Sequence, residues 1–256
     1  PISTLINALL GQDRLLTGPE AGVTRDAIMV PFSYEGQDFR LVDTAGLRKR
    51  AKVVDRIEKM STHDTMEAIR LSQAVVLLVD AQTPLEKQDL TLAYDIYNEG
   101  RAMVIALNKW DLVKDKKAVL EEVHHKIYHQ LAQAKDIPVI GLSALKAKGL
   151  DELMQAVLSL YKVWNKRIST AKLNDWLLEV VAKHPAPAVN GRRIRPKYMT
   201  QAKSRPPTFV LFCSQAEKLP ESYTRYLTNS LRQCFDMPGV PIRFHVRGSK
   251  NPYSGK

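Results

Sequence analysis

The chain has 256 residues, 45% of them apolar and 7% aromatic, and carries a net charge of +11. That length buries a sizeable core in one large or two modest domains. No apolar run approaches the ~18 residues of a membrane-spanning helix, so a membrane span is excluded and the chain is expected to be soluble.

Residues 3–11 show an amphipathic helical pattern closed by Gly11 in the C-cap position. A polar loop over 16–26 follows. Two strand patterns, 28–34 and 39–42, flank the turn Glu35-Gly36, which predicts a hairpin. The second strand runs into Asp43-Thr44-Ala45-Gly46, and the charged stretch 47–52 after it is too polar for a core and is expected to be mobile.

From there strands and helices alternate. A helix at 65–72 leads to a strand at 74–80, a helix at 87–98 and an apolar strand at 103–107 that ends in Asn108-Lys109-Trp110-Asp111. A helix at 116–133, a strand at 137–142, the turn Ser143-Ala144-Leu145 and a helix at 149–163 complete the first part. Such alternation predicts an α/β fold with a doubly wound, mainly parallel sheet.

After residue 165 the composition changes. Residues 166–256 hold 17 Lys and Arg against 5 Asp and Glu, which leaves 21 against 22 for residues 1–165. All the excess charge is C-terminal, so two domains, 1–165 and 166–256, are expected, the second facing a polyanion such as RNA. Its pattern is a helix capped by Ser169 or Thr170, strands at 198–202 and 208–214, a helix at 221–235 and a strand at 242–246. This α-β-β-α-β order predicts a small α+β unit with helices on one face of a sheet, followed by a loose Gly-, Pro- and Ser-bearing tail. Cys213 and Cys234 lack metal-ligand spacing and give no disulfide framework, and no leader-like segment opens the sequence. A reducing cytoplasm is therefore the expected compartment.

The chemistry gathers at strand ends, where open α/β sheets bind ligands. The carboxylate of Asp111 accepts two hydrogen bonds in one plane, which suits the N1–H and exocyclic amine of guanine, while Asn108 braces the neighbouring loop. Adenine offers no such donor pair. Asp43 at its strand end is placed to hold magnesium through water, and Gly46 lets its backbone N–H approach a terminal phosphate. Thr24 offers a hydroxyl and backbone groups to metal and phosphate. Ser3 and Thr4 open a helix whose N-terminus favours phosphates, and Ser3 is a further candidate metal ligand. Ser143-Ala144 brings a third loop to the same edge. His125 and His129, one turn apart on a helix, lack the neighbouring Glu of zinc proteases and are expected to be a solvated face.

Residues 18–26, then Asp43-Thr44-Ala45-Gly46 with Leu47-Arg48-Lys49-Arg50, then Asn108-Lys109-Trp110-Asp111 resemble the second GTPase domain of the EngA (Der) family. The basic α-β-β-α-β unit and Asn251-Pro252-Tyr253 resemble that family's C-terminal KH-like domain. The resemblance implies a P-loop GTPase sheet followed by a KH-like domain. It also implies GTP and GDP as ligands with magnesium, Asn108, Lys109, Asp111, Ser143 and Ala144 around the base, and a further N-terminal GTPase domain. Its implied partners are the large ribosomal subunit and ribosomal RNA, and its implied role is that subunit's assembly.

Two departures stand out. The family's Gly-x-x-x-x-Gly-Lys-Ser loop survives only as Ser3, so an interruption between Ile2 and Ser3, with a central strand and phosphate loop omitted, is expected. Leu47 stands where Ras-like enzymes carry a water-positioning Gln, so hydrolysis is expected to be slow unassisted and to lean on magnesium, Thr24 and a monovalent cation such as potassium. Residues 166–256 contain no Gly-x-x-Gly, which favours charge-based RNA contact over base clamping and counts against an Era-like GTPase. The competing function is a non-catalytic RNA-binding scaffold with a structural nucleotide site.

Overall fold

A computed structural model describes residues 2–11, 29–42, 65–131, 136–189 and 191–248. The loop 16–26, the turn 43–46, the stretch 47–52 and the tail 249–256 lie outside the described residues, and with them Thr24, Asp43 and Gly46. The chain divides into two compact units, Pro1–Ser159 and Leu160–Lys256.

In the first unit, helix α1 (Ile2–Leu10) buries Leu5 and Ile6 and gives way at Gly11, whose φ of 62° is left-handed. Ile2, Leu5, Ile6 and Leu9 form one stripe at helical spacing. Ile2 is the first position of that stripe and lies in the same helix as Ser3.

Strands β1 (Met29–Tyr34) and β2 (Gln37–Val42) pair antiparallel with Phe32 opposite Phe39. Glu35 and Gly36 both take positive φ, 47° and 74°, the twist that a two-residue hairpin turn requires. The hairpin is a sheet of its own.

A second, parallel sheet has the order β3 (Ala74–Asp80), β4 (Ala102–Asn108), β5 (Val139–Gly141). Every residue of β4 is buried, because it lies between two strands and beneath helices, and its unbroken apolar run follows from that position. Helix α2 (Lys87–Asn98) packs on β3 and β4, while α3 (Lys116–Gln130) sends Val123 and Ile127 into the same core. Residues 65–71 are helical and add Ile69 to it. Strand β5 is shorter than its apolar pattern because Pro138 has no N–H to give, although its carbonyl still accepts from Ile105 N at 2.9 Å. Helix α4 (Leu150–Trp164) follows, and the division into units falls inside it. Composition shifts only at 166; the buried Leu160 and Trp164 already belong with the second unit.

The second unit opens on α5 (Thr170–Lys183), capped by Ser169, whose hydroxyl accepts from Lys172 N at 3.4 Å. A short hairpin, β6 (Ala188–Val189) with β7 (Arg192–Arg193), was not expected. Then come β8 (Pro196–Lys203), β9 (Thr208–Cys213), α6 (Glu221–Cys234) and β10 (Arg243–Gly248). The sheet order is β10-β9-β8, with β10 parallel and β8 antiparallel to β9.

Side chains of α5 and β8 tie this unit together. Asn174 accepts from Met199 N at 2.9 Å and donates to Met199 O at 3.0 Å, so it satisfies the backbone of β8, the edge strand of that sheet. Gln201, 2% exposed, accepts from Ile168 N at 2.8 Å and donates to Lys166 O at 2.9 Å. A buried amide is tolerated there because both ends are bonded.

Candidate nucleotide site

The site is built on the carboxyl ends of β3, β4 and β5. Parallel register sets Asp80 beside Asn108 and Leu107 beside Gly141, so the loops leaving all three strands start level. Three backbone bonds lock them: Ala81 N donates to Asn108 O at 2.9 Å, Leu142 N to Leu107 O at 2.9 Å and Trp110 N to Leu142 O at 3.0 Å.

Asn108 is 9% exposed and its Oδ1 accepts from Ala144 N at 3.0 Å. The expected bracing is thus a single bond between the ends of β4 and β5. It also engages the N–H of Ala144, so that group serves the loop. Lys109 takes the left-handed conformation, φ 62°, which turns the chain sharply out of the strand. Its ammonium pairs with Asp80.

Asp111 lies in the short turn after Lys109, with its side chain 19% exposed. Lys146 Nζ stands 2.7 Å from its carboxylate. Hydrogen bonds from Lys146 and then from the Ser143 side chain hold its pKa below the ordinary carboxylate value. Asp111 is therefore an anion, purely an acceptor, across the neutral range. Ser143, 3% exposed, bridges to Lys148 through backbone bonds of 2.9 and 3.1 Å and receives Lys146 N on its hydroxyl at 3.3 Å. This closes residues 143–148 into a small rigid loop beside Asp111.

Burial pushes the carboxylate of Asp80 up, but bonds from Lys109 and from Gln82 N outweigh it and leave the pKa lowered. Asp80 and Lys146 are the charged groups the sequence reading did not place in the site. Both have a signal in hindsight, Asp80 as a polar strand end and Lys146 as a cation three residues after Ser143. Trp110 is a third omission. Its ring covers Gly141 so closely that a Cβ there would sit 2.4 Å from ring atoms.

The structure thus gathers Asn108, Lys109, Asp111, Ser143 and Ala144, while Ser3 and Thr4 occupy the first turn of α1, Ser3 half-buried and Thr4 exposed. Thr24, Asp43 and Gly46 fall outside the described residues. Among the described residues no group of three or more His, Cys, Asp or Glu is gathered to hold a metal ion. The rings of His125 and His129 lie 4.3 Å apart on the exposed side of α3.

A strand-end anion paired with Lys146, beside a loop that backbone bonds close over residues 143–148, suits a planar ligand whose adjacent N–H donors replace that pairing. A guanine meets that description.

Comparison with known proteins places the chain in a family. Residues 3–109 match a family model described as "50S ribosome-binding GTPase", and residues 167–247 one described as the KH-domain-like C-terminal region of EngA bacterial GTPase enzymes. The protein called GTPase Der in Rhizobium johnstonii is 53% identical over 254 residues, covering 99% of this chain and 54% of that protein. GTPase Der of Agrobacterium fabrum is likewise 53% identical, covering 99% of this chain and 53% of its own length. The chain spans about half the length of the curated relatives it matches. A crystal structure of Aquifex aeolicus Era bound to GDP and aluminium fluoride aligns over 97% of this chain and 90% of that one, at 15% identity and a TM-score of 0.48.

Proposed function

Because the chain belongs to the EngA (Der) family of GTPases, we propose that it binds GTP and GDP at the ends of β3, β4 and β5 and hydrolyses GTP as a molecular switch. The observation that carries this reading is the ionised Asp111 beside the Ser143–Lys148 loop, fixed there by the Asn108–Ala144 bond. In this role Asp111 accepts from the guanine edge, and Lys146 shifts from pairing with the carboxylate to flanking the base. Lys109, tethered to Asp80, lines the adjoining wall.

Ser3, with Thr24 and Asp43 of the sequence, would hold magnesium, which supplies charge neutralisation for the phosphates when bound. Thr24 and Gly46 are the residues proposed to face the terminal phosphate. Leu47 has no group to orient water, so turnover is slow without a partner or a cation such as potassium. The basic second unit is proposed to meet ribosomal RNA of the large subunit in the cytoplasm. The net charge of that unit supports contact with RNA, and the match of residues 3–109 to a family described as "50S ribosome-binding GTPase" supports the large subunit as its source.

Base specificity tests the site. Asp111→Asn replaces one acceptor by a donor aimed at the guanine amine. GTP affinity should fall about a hundredfold, and affinity for xanthosine triphosphate, which presents an acceptor there, should rise. Unchanged GTP preference in competitive binding would refute the assignment. Turnover measured with and without large ribosomal subunits separates the switch from a scaffold, since a scaffold shows neither basal hydrolysis nor stimulation.

A further inference from the structure

The sheet of the second unit has two unlike faces. Register and burial place Met199, Gln201, Phe209, Leu211 and Cys213 on the core face, each at most 2% exposed. The opposite face carries Tyr198, Phe212 and Arg247 in one row across the strands, then Thr200, Val210 and His245, then Thr208 and Arg243.

The first row is unusual for a water-facing surface. Tyr198 is 45% exposed and its ring lies flat on that of Phe212, with centroids 4.4 Å apart and planes 10° apart. Two aromatics held parallel leave the outer π-face of Tyr198 available to a further flat ring. Arg243, His245 and Arg247 are all exposed along β10, the opposite edge strand of this sheet, on the far side of β9 from Tyr198. β8, β9 and β10 contain no Asp or Glu, and exposed Arg193, Arg195 and Lys197 lie just ahead of Tyr198 in the chain.

The geometry points to a stacking platform for single-stranded RNA along the first row of this face, where Tyr198 and Arg247 are exposed, whereas Val210 and Thr208 further along it are buried. A base stacks on Tyr198, continuing the Tyr198–Phe212 pair, and the strand then crosses the sheet so that Arg247, at the other end of that row, and Arg243 accompany phosphates further along it. The chemistry selects this occupant. A protein partner would want apolar area without so one-sided a charge, and a duplex hides its base faces, whereas an unpaired strand offers π-faces and phosphates together. The inference rests on the proposal that this unit meets RNA and names the surface and the mode of contact. It also answers the missing Gly-x-x-Gly, since stacking on a sheet face needs no backbone clamp.

The test is fluorescence anisotropy of the whole chain with a labelled mixed-sequence RNA of about twelve nucleotides, single-stranded or annealed to its complement. The wild type should prefer the single strand. Tyr198→Ala should weaken single-strand binding about tenfold and leave the salt slope unchanged, and Tyr198→Trp should restore it. Tyr198→Leu keeps an apolar cover over Phe212 but has no π-face, so it should bind as weakly as the alanine variant while melting like wild type. Arg243→Gln with Arg247→Gln should flatten the log–log salt slope by about 1.4, two contacts at ~0.7 each. Wild-type affinity in the alanine and leucine variants, or equal binding of the duplex, would overturn the platform. Absence of RNA binding by the wild type would instead overturn the RNA-facing reading from which it starts.

Discussion

Gly141 and Trp110 show how a single position sets the site. The Trp110 ring lies where a Cβ on residue 141 would be, and Trp110 N is bonded to Leu142 O, so strand β5 and the Asp111 turn are pressed together at a residue that only glycine fits. Gly141→Ala must push the indole aside and drag Asp111 with it. The expected loss is about 2 kcal/mol of stability from overpacking, with guanine-nucleotide affinity down about tenfold. Titration with a fluorescent guanine nucleotide checks the affinity, and urea unfolding followed by Trp emission checks the stability; unaltered affinity would mean that the ring does not position the turn. Asn108, Asp111 and Ser143 were legible in the sequence because a polar residue after a buried strand can only sit at a sheet end. Trp110 over Gly141 was not, nor was the Lys146–Asp111 pair, because each depends on which loops become neighbours in space.

Elements were legible wherever period and punctuation agreed. Apolar runs gave β3 and β4, and Gln201 alone interrupts the core side of β8. Boundaries shifted where a local rule intervened, as at Pro138 before β5. The hairpin β6–β7 went unseen although the sequence carries Asn190-Gly191, a hairpin turn signal, with φ of 73° at Gly191; two-residue strands leave too little alternation to detect. The attachment of β8 was equally hidden. Asn174 sits on a helix, where Asn is usually a weak helix former, yet it gives Met199 both of its backbone partners. Asn174→Ala should leave a fully buried residue's N–H and carbonyl unpaired and cost about 2 kcal/mol. Urea unfolding measures this, and a change below about 0.5 kcal/mol, the range of an indifferent surface substitution, would show that water replaces the amide.

At the scale of the whole molecule, charge and fold are divided along the same chain. The first unit balances its charges and spends several of them in local pairs, Lys109 with Asp80, Lys146 with Asp111 and Lys126 with Glu122. In the second unit Arg225 pairs with Glu221 on α6, but 17 cations face only 5 acids between 166 and 256, so self-neutralisation cannot absorb the excess. A surplus of this kind draws a polyanion by releasing its counterions, and the strength of that attraction is read from its dependence on salt. Arg192, Arg193 and Arg195 follow one another within four residues at the entrance to β8. Replacing all three by Gln should reduce the log–log salt slope of binding to large ribosomal subunits by about 2 to 3, and weaken binding alike for RNA of different sequence. Nucleotide affinity should not change, because that site is built from the ends of β3, β4 and β5 in the other unit. Sedimentation binding across a range of salt concentrations checks the slope. An unchanged slope would show that the surplus charge of this unit serves something other than RNA, whereas a changed slope with altered nucleotide affinity would show that the two units act on each other.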